Sequence, residues 1–267
     1  MTLLNSYEEL SFLVMKHLRK GVFTNFFMGK EEAIEYINHK MMYYHSEIDF
    51  LLLIREYDNR YVINFYLNDY LSADEFWKFL NTLSKKVVIE IPYKKDNIEM
   101  INSFEAKLKE NGFSKLVDRV KLIRKSEEST QLNNQNIRFV TLDDYEKVKN
   151  IFKESFDEYY GCIPTDEIIK KNIEEQKIIG IYDEENLVGI LRFDDSSKGV
   201  TIKHLAIKSE YRGKGYGKML VEHLTIIFND KRIDTWTGKE NKAAIKVYED
   251  CGLKLDNYES IVWGQVI

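Results

Sequence analysis

A run of eight residues, Y-R-G-K-G-Y-G-K at 211–218, places the strongest local constraint on how this chain folds. It lies between an alternating apolar run at 200–207 and a helical pattern that begins near Gly217. Its glycines recur at every second position, where a backbone without Cβ atoms can turn tightly. The pattern therefore predicts a strand, a tight loop and a helix in direct succession.

A loop of this kind is expected to bind an anion. Its backbone N–H groups can converge on one point, and the following helix adds N–H groups without intrahelical partners and the positive end of its dipole. A phosphate or pyrophosphate is the natural ligand of such a site. We therefore expect the binding residues to be Arg212, Gly213, Lys214, Gly215, Tyr216, Gly217 and Lys218.

The bulk composition excludes several classes of function. A net charge of −5 over 267 residues, with no long basic run, argues against general nucleic-acid binding. The longest apolar runs are too short to span a bilayer, and the first twenty residues lack a secretory cleavage pattern. Two cysteines provide neither a disulfide framework nor a zinc site. We expect a soluble, reduced, cytoplasmic protein without a metal.

The chain is predicted to contain two domains related by an internal repeat. A polar linker at 127–136 separates residues 1–126 from residues 137–267. Each half ends in the same order: strand, loop, helix, strand, helix, glycine, strand. The segment 109–113, K-E-N-G-F, corresponds to 249–253, E-D-C-G-L. Alternating helices and strands in both halves predict an α/β fold.

The two halves differ at the loop. The first half has Asn68–Asp74, which contains two acids and no glycine. A loop of this composition cannot form the same nest of amide groups. We therefore expect only the second half to bind the anion.

Three segments of the second half resemble the GNAT superfamily of acyl-CoA-dependent N-acyltransferases. Arg212–Gly217 matches the R/Q-x-x-G-x-G/A loop of that family, and Leu205-Ala206-Ile207 matches its L-A-V strand end. Residues 241–253 match its N-x-x-A-x-x-x-Y-x-x-x-G-F segment through Asn241 and Tyr248. The resemblance covers residues 137–267. It implies two GNAT-like domains, each a mixed, largely antiparallel sheet flanked by helices, with a degenerate and catalytically silent copy in residues 1–126.

The resemblance also implies an activity, the transfer of an acetyl group from acetyl-CoA to a primary amine by direct attack. The loop would hold the CoA pyrophosphate, and the backbone of Leu205, Ala206 and Ile207 would pair with the pantetheine arm. A splay between this strand and Ile233–Thr237 would admit the thioester. A backbone N–H near Ala206 or Ile207 would stabilise the oxyanion. Tyr248 would protonate the leaving thiolate, and Asn241 would bind the pantetheine arm or a water.

The group that accepts the amine proton is less clearly marked. The stretch 201–204 contains no carboxylate. His204 is one candidate, and strand alternation predicts that it lies on the face opposite Thr201, Lys203 and Leu205. Asp157, Glu158 and a water chain are the others.

Each functional reading has a structural alternative. Tyr248 lies on an apolar helical stripe and fits a core tyrosine, Asn241 fits a helix N-cap, and His204 fits a satisfied structural histidine. The competing function is a non-catalytic acyl-CoA-binding sensor or scaffold, which the missing carboxylate favours. Aminoglycosides, polyamines, amino acids, peptide N-termini and small metabolites all remain open as acceptors, and the oligomeric state is not predicted.

Overall fold

The computed structural model describes residues 1–69, 73–126 and 136–265. Residues 127–135 of the expected linker and residues 70–72 of the first-half loop lie outside this range. The chain divides into two compact units. Unit 1 comprises Met1–Asp118 and Tyr258–Ile267, and unit 2 comprises Arg119–Asn257.

The elements alternate along the chain as the sequence pattern indicates. The strands are β1 (Thr2–Leu3), β2 (Phe23–Thr24), β3 (Met42–Ser46), β4 (Phe50–Glu56), β5 (Arg60–Leu67), β6 (Lys86–Lys94), β7 (Phe113–Arg124), β8 (Ile137–Phe139), β9 (Ile178–Asp183), β10 (Asn186–Ser196), β11 (Gly199–Ile207), β12 (Ile233–Gly238) and β13 (Lys254–Gln265). The helices are α1 (Tyr7–His17), α2 (Lys30–Asn38), α3 (Asp74–Asn81), α4 (Ile98–Glu110), α5 (Tyr145–Ser155), α6 (Asp166–Glu174), α7 (Tyr216–Ile227) and α8 (Lys242–Asp250). Short 3-10 turns lie at Lys95–Asn97, Leu142–Asp144 and Ser209–Tyr211.

Unit 1 contains a mixed sheet in the order β1-β3-β4-β5-β6-β13, with β2 paired to β5. The pair β5–β6 is parallel, and the other pairs described in this unit are antiparallel. One core lies between the sheet and α3 and α4, and it includes Phe76, Phe104 and Trp263. A second core on the other face packs against α1 and α2, through residues such as Leu10 and Ile37.

Unit 2 repeats this plan in the order β8-β9-β10-β11-β12-β7. The pair β11–β12 is parallel, and the other pairs described here are antiparallel. The face covered by α7 and α8 carries a core with Leu220, Leu224 and Tyr248. The opposite face packs against α5 and α6 through Ile151, Phe152 and Ile169.

The units differ from the predicted domain boundaries in their last strands. Residues Arg119–Arg124 of β7 pair with β12 in unit 2, and residues Tyr258–Gly264 of β13 pair with β6 in unit 1. The predicted boundaries at 126 and 137 instead place residues 119–124 in the first half and residues 258–264 in the second half. Local patterns identify a strand but not its distant partner, which is why the sequence could not place these two segments.

Two predicted helices are shorter than expected. The pattern at 30–44 predicts one helix, but α2 ends at Asn38, Lys40 adopts a left-handed φ of 56°, and β3 begins at Met42. Thr141, with Asp144 at the capping-box position, predicts a helix that begins at Thr141. The helix α5 starts instead at Tyr145, after a 3-10 turn, and ends at Ser155. Within the described ranges, no helix is both long enough and apolar enough to cross a membrane.

Candidate functional site

Strands β11 and β12 separate part-way along their length. Their parallel pairing joins Val200 to Ile233 and ends where Ile202 meets Thr235. On its other edge, β11 stays paired with β10 as far as Ile207. A notch therefore opens between residues 203–207 and residues 236–238, where the resemblance predicts a splay.

A β-bulge at Lys203 sets which side chains face each side of the sheet at the notch. The register with β10 shifts between Arg192, which pairs with His204, and Phe193, which pairs with Ile202. Val200, Ile202, Leu205 and Ile207 consequently all pack against the same core beside α7 and α8. The prediction that His204 lies opposite Thr201 is wrong, because the extra residue shifts the alternation by one.

The apex of the notch carries two hydroxyl groups. Thr235 Oγ1 donates a hydrogen bond to the carbonyl of Ile202 at 3.1 Å. The side chain of Tyr248, on α8, is only 4% exposed, and its hydroxyl lies beside Thr235. Burial raises the pKa of Tyr248 to about 12. The tyrosine is thus a core residue whose hydroxyl reaches the point where the strands part.

The glycine loop presents the uncapped start of α7. Gly213 and Gly215 have φ of 79° and 84°, which favour glycine, and Gly215 is the N-cap. No side chain caps the first turn of the helix. Gly217 differs, because it is helical and an added Cβ would make only ordinary contacts, the nearest at 3.8 Å to Ile207. The backbone thus requires glycine at two of the three positions.

Three cations surround this loop. Arg212 Nε donates to the carbonyl of Ile207 at 3.0 Å, which fixes the guanidinium beside the end of β11. Lys214 lies over the ring of Tyr211 at 4.8 Å, and Lys218 pairs with Glu222 at 3.5 Å. Burial and the nearby carboxylate of Asp183 raise the pKa of the loop residue Tyr216, and sequence reasoning did not find this neighbour.

Asn241 begins α8 as its N-cap. Its Oδ1 accepts a hydrogen bond from the backbone N–H of Ala244 at 3.1 Å. The capping role anticipated for this residue is therefore present. The side chain is exposed at the open end of β12.

His204 occupies the core on the opposite face of the sheet. Its ring packs edge-on against Phe152 and Phe156, with centroid distances of 5.1 and 4.7 Å. Nε2 donates to the carbonyl of Gly161 at 3.1 Å, while Nδ1 has no partner among the described residues. Burial, aided by Arg192, lowers the pKa of His204 to about 3. A ring with this pKa is a poor base at neutral pH.

The loop that joins α5 to α6 is tied to the sheet at two carbonyls. One is the bond from His204 to Gly161, and the other is donated by Arg119 of β7 to Tyr160 at 2.8 Å. Asp157 organises the same loop, because its Oδ1 accepts from the backbone N–H groups of Tyr159 and Tyr160 at 2.8 and 3.0 Å. This carboxylate therefore has a turn-forming role.

Two further carboxylates on this face lie in ion pairs. Asp234 accepts from Thr201 at 3.1 Å and pairs with Lys121 at 3.7 Å. Asp194 pairs with Lys203 at 3.3 Å, and although burial opposes ionisation, this lysine and Arg192 hold its pKa below the usual value. Within residues 1–69, 73–126 and 136–265, no three His, Cys, Asp or Glu side chains are grouped so as to hold a metal ion.

The comparison with known families identifies the domain that carries this site. Residues 145–253 match the model of the Acetyltransferase (GNAT) family. They form a GNAT acetyltransferase domain. The matched residues include the glycine loop, both strands of the notch and α8.

Solved structures show that the GNAT fold extends over most of the chain. A GCN5-related N-acetyltransferase from Sphaerobacter thermophilus aligns at 10% identity and a TM-score of 0.59, covering 89% of this chain and 85% of that one. A GCN5-related N-acetyltransferase from Kribbella flavida aligns at 9% and 0.56, covering 85% and 90%. A tandem GNAT protein from the clavulanic acid biosynthesis pathway aligns at 8% and 0.55, covering 81% and 78%.

These alignments span both units, and their low identity restricts the likeness to the fold. Together with the repeated strand order, they confirm the predicted fold of two GNAT-like domains, each with a mixed, largely antiparallel sheet. Among curated proteins, none matches this chain in sequence.

Proposed function

We propose that the GNAT domain of unit 2 is an N-acetyltransferase that transfers the acetyl group of acetyl-CoA to a primary amine. The observation that carries the proposal is the open notch between β11 and β12. It has the uncapped N-terminus of α7 at one end and the buried hydroxyl of Tyr248 at its apex. GNAT domains typically use acetyl-CoA as a co-substrate, and the features of the notch suit its pyrophosphate, its pantetheine arm and its thioester.

The glycine loop fits a pyrophosphate. Its left-handed glycines and the uncapped first turn of α7 direct backbone N–H groups outward, and anions are stabilised at such a helix start. The residues that would hold this group are Arg212, Gly213, Lys214, Gly215, Tyr216, Gly217 and Lys218. The backbone of Leu205, Ala206 and Ile207 would pair with the pantetheine arm, in the manner of an added strand. Asn241 would bind beside it.

Acetyl-CoA would supply the thioester carbonyl that the amine nitrogen attacks and the sulfur that leaves with the electrons of the C–S bond. A backbone N–H near Ala206 or Ile207 would donate to the oxyanion. Tyr248 would act as the general acid that donates its hydroxyl proton to the leaving sulfur. The amine must release one proton to solvent or to a base for the reaction to balance.

The environment of Tyr248 shapes this acid role. A pKa near 12 keeps the phenol protonated across the physiological pH range. Complete transfer of its proton to a thiolate of parent pKa about 8.5 is uphill by roughly 5 kcal/mol. A hydrogen bond to the sulfur that strengthens as the C–S bond breaks lowers that cost.

A second candidate is an acyl-CoA sensor on the same fold. Two of the expected proton acceptors have other roles, since His204 is buried against two phenylalanines and Asp157 binds backbone N–H groups. The transferase would then rely on Glu158 or a water chain to remove the amine proton, whereas a sensor would need no base.

Release of CoA thiol separates the two candidates. The full chain is incubated with acetyl-CoA and a panel of amines that includes aminoglycosides, polyamines, amino acids and peptides. Amine-dependent thiol release, with the acetylated amine seen by mass spectrometry, is the expected result. Acetyl-CoA binding with no amine-dependent release would favour the sensor, and failure to bind acetyl-CoA would contradict both candidates.

A further inference from the structure

The connection between α1 and α2 of unit 1 enters the sheet. Its strand β2 pairs antiparallel with β5, with Phe23 opposite Leu67 and Thr24 opposite Tyr66. The other edge of β5 is paired with β4 along this stretch. Strand β6 pairs with β5 only as far as Ile63. Strand β2 therefore occupies the position beside β5 that β6 leaves after Ile63.

Asn25 fills the apex where β5 and β6 part. The side chain is 3% exposed, and its Nδ2 donates to the carbonyls of Ile63 at 3.0 Å and of Glu90 at 2.8 Å. Its Oδ1 accepts from the backbone N–H of Phe65 at 2.7 Å. A primary amide has the donor and acceptor groups of a peptide bond, so one side chain satisfies both diverging strands.

The residues on either side of Asn25 hold the segment in place. Thr24 Oγ1 donates to the carbonyl of Phe65 at 2.6 Å and accepts from the N–H of Phe26 at 3.1 Å. The ring of Phe23 packs against Phe65 and Phe104 on one face of the sheet, at 5.2 and 4.9 Å between centroids. Phe26 packs against Tyr66 on the other face.

The same place in unit 2 is arranged differently. Its apex is closed by Thr235, a side chain of β12 itself. The connection between α5 and α6 is tied to Arg119 and His204 instead of pairing with β11. In the part of unit 2 that the structure describes, no segment pairs with residues 203–207 on the β12 side.

We propose that the groove between β5 and β6 is a strand-accepting slot that unit 1 fills with its own residues 22–26, with Asn25 as the residue that locks it. The slot lies where, on the proposed function of unit 2, that unit receives the pantetheine arm. An extended ligand of this class is excluded from unit 1, because β2 already takes the backbone positions of β5 that it would use. The chain consequently binds one acyl-CoA at most.

Hydrogen exchange with mass spectrometry on the full chain tests the lock. Asn25→Asp keeps an acceptor for Phe65 but sets a carboxylate against two carbonyls, and Thr24→Val removes one hydroxyl with little change in shape. We expect peptides covering 23–26 and 63–67 to exchange at least about tenfold faster in both variants, with unit 2 peptides unchanged. The exposed Asn38→Ala, also in unit 1, should leave every peptide at the wild-type rate. Unchanged exchange at 63–67 in Asn25→Asp would overturn the proposal.

Two measurements on the wild-type chain test the proposal even if Asn25→Asp unfolds unit 1 altogether. Residues 23–26 should exchange as slowly as the paired part of β5, and rapid exchange there would contradict a filled slot. Calorimetric titration with acetyl-CoA should give one equivalent per chain, whereas two equivalents would overturn the proposal. A stoichiometry of zero would contradict the function proposed for unit 2, but it would still agree with the proposal that unit 1 does not bind acetyl-CoA.

Discussion

Tyr248 illustrates how one residue can serve both the core and a reaction. It sits on the apolar stripe of α8, so the sequence supported both a core role and a catalytic one. The structure buries the ring and brings its hydroxyl to Thr235, at the end of the β11–β12 pairing. A hydroxyl in that position can protonate only a substrate group that enters the notch between β11 and β12.

Replacing Tyr248 with phenylalanine removes the hydroxyl and retains most of the packing. We expect turnover to fall by about 10²-fold, because general acid catalysis typically contributes this much or more. The affinity for acetyl-CoA, measured by titration calorimetry, should remain at the wild-type value. Tyr7→Phe in unit 1 is a matched control that should leave turnover unaltered. An unaltered rate in Tyr248→Phe would mean that water or another residue protonates the sulfur.

His204 makes stability depend on pH. Its folded-state pKa of about 3 lies below the ordinary value, so between these values the unfolded chain binds a proton that the folded chain does not. The contribution of His204 to stability is therefore fully present above about pH 6.5 and is lost as the pH drops toward 3. The contribution lost between pH 6.5 and pH 4 is roughly 3 kcal/mol.

Denaturant unfolding at several pH values measures this contribution. We expect His204→Gln to flatten the decline of the unfolding free energy below pH 6.5, relative to the wild type. His39→Gln, at an exposed position, should retain the wild-type decline. Parallel curves for His204→Gln and the wild type would show that this ring does not couple folding to pH.

At the scale of elements, the glycine loop contains both a glycine that its backbone conformation requires and one that it does not require. Gly215 has a left-handed φ, so Gly215→Ala should lower the stability of the unliganded chain by about 1–2 kcal/mol. Gly217 is helical, and Gly217→Ala should be neutral or stabilising, because alanine favours a helix. Thermal unfolding without ligand compares the two directly. Equal losses in both variants would contradict the assigned backbone roles.

The sequence predicted this loop and α7 well because their signals are local. Glycine spacing, an apolar strand before it and helical periodicity after it all lie within about thirty residues. The sequence did not predict the bulge at Lys203, because the bulge depends on the register between β10 and β11 and not on the type of residue at position 203. The partner roles of Thr235 and Arg119 were missed for the same reason, since each acts on a strand or loop distant in sequence.

At the scale of the whole molecule, the repeat was visible in the sequence but the exchange of last strands was not. Strands β7 and β13 follow equivalent helices and glycines, so each could equally complete its own half. The structure assigns residues 119–124 to unit 2 and residues 258–264 to unit 1. No local pattern distinguishes these alternatives, because both pairings bury the same kind of alternating strand.

Two buried residues near the C-terminus should therefore destabilise different units. Trp263 is 1% exposed in the core of unit 1, and Leu253 is 1% exposed in the core of unit 2. Trp263→Ala should cost about 3–5 kcal/mol and Leu253→Ala about 2–5 kcal/mol. Hydrogen exchange should locate the first loss in α3 and α4 and the second in α7 and α8. Loss of protection in α7 and α8 for Trp263→Ala would contradict the assignment of β13 to unit 1.

The position of β13 also has a consequence during synthesis. The first 118 residues leave the ribosome with β6 as an open edge, which lacks the strand that contributes Ile261 and Trp263 to its core. At about 5–20 residues per second, the missing strand follows on the order of ten seconds later. Through that interval the nascent chain presents an unpaired, aggregation-prone edge. A chaperone that shields such edges is therefore expected to engage this protein before its translation ends.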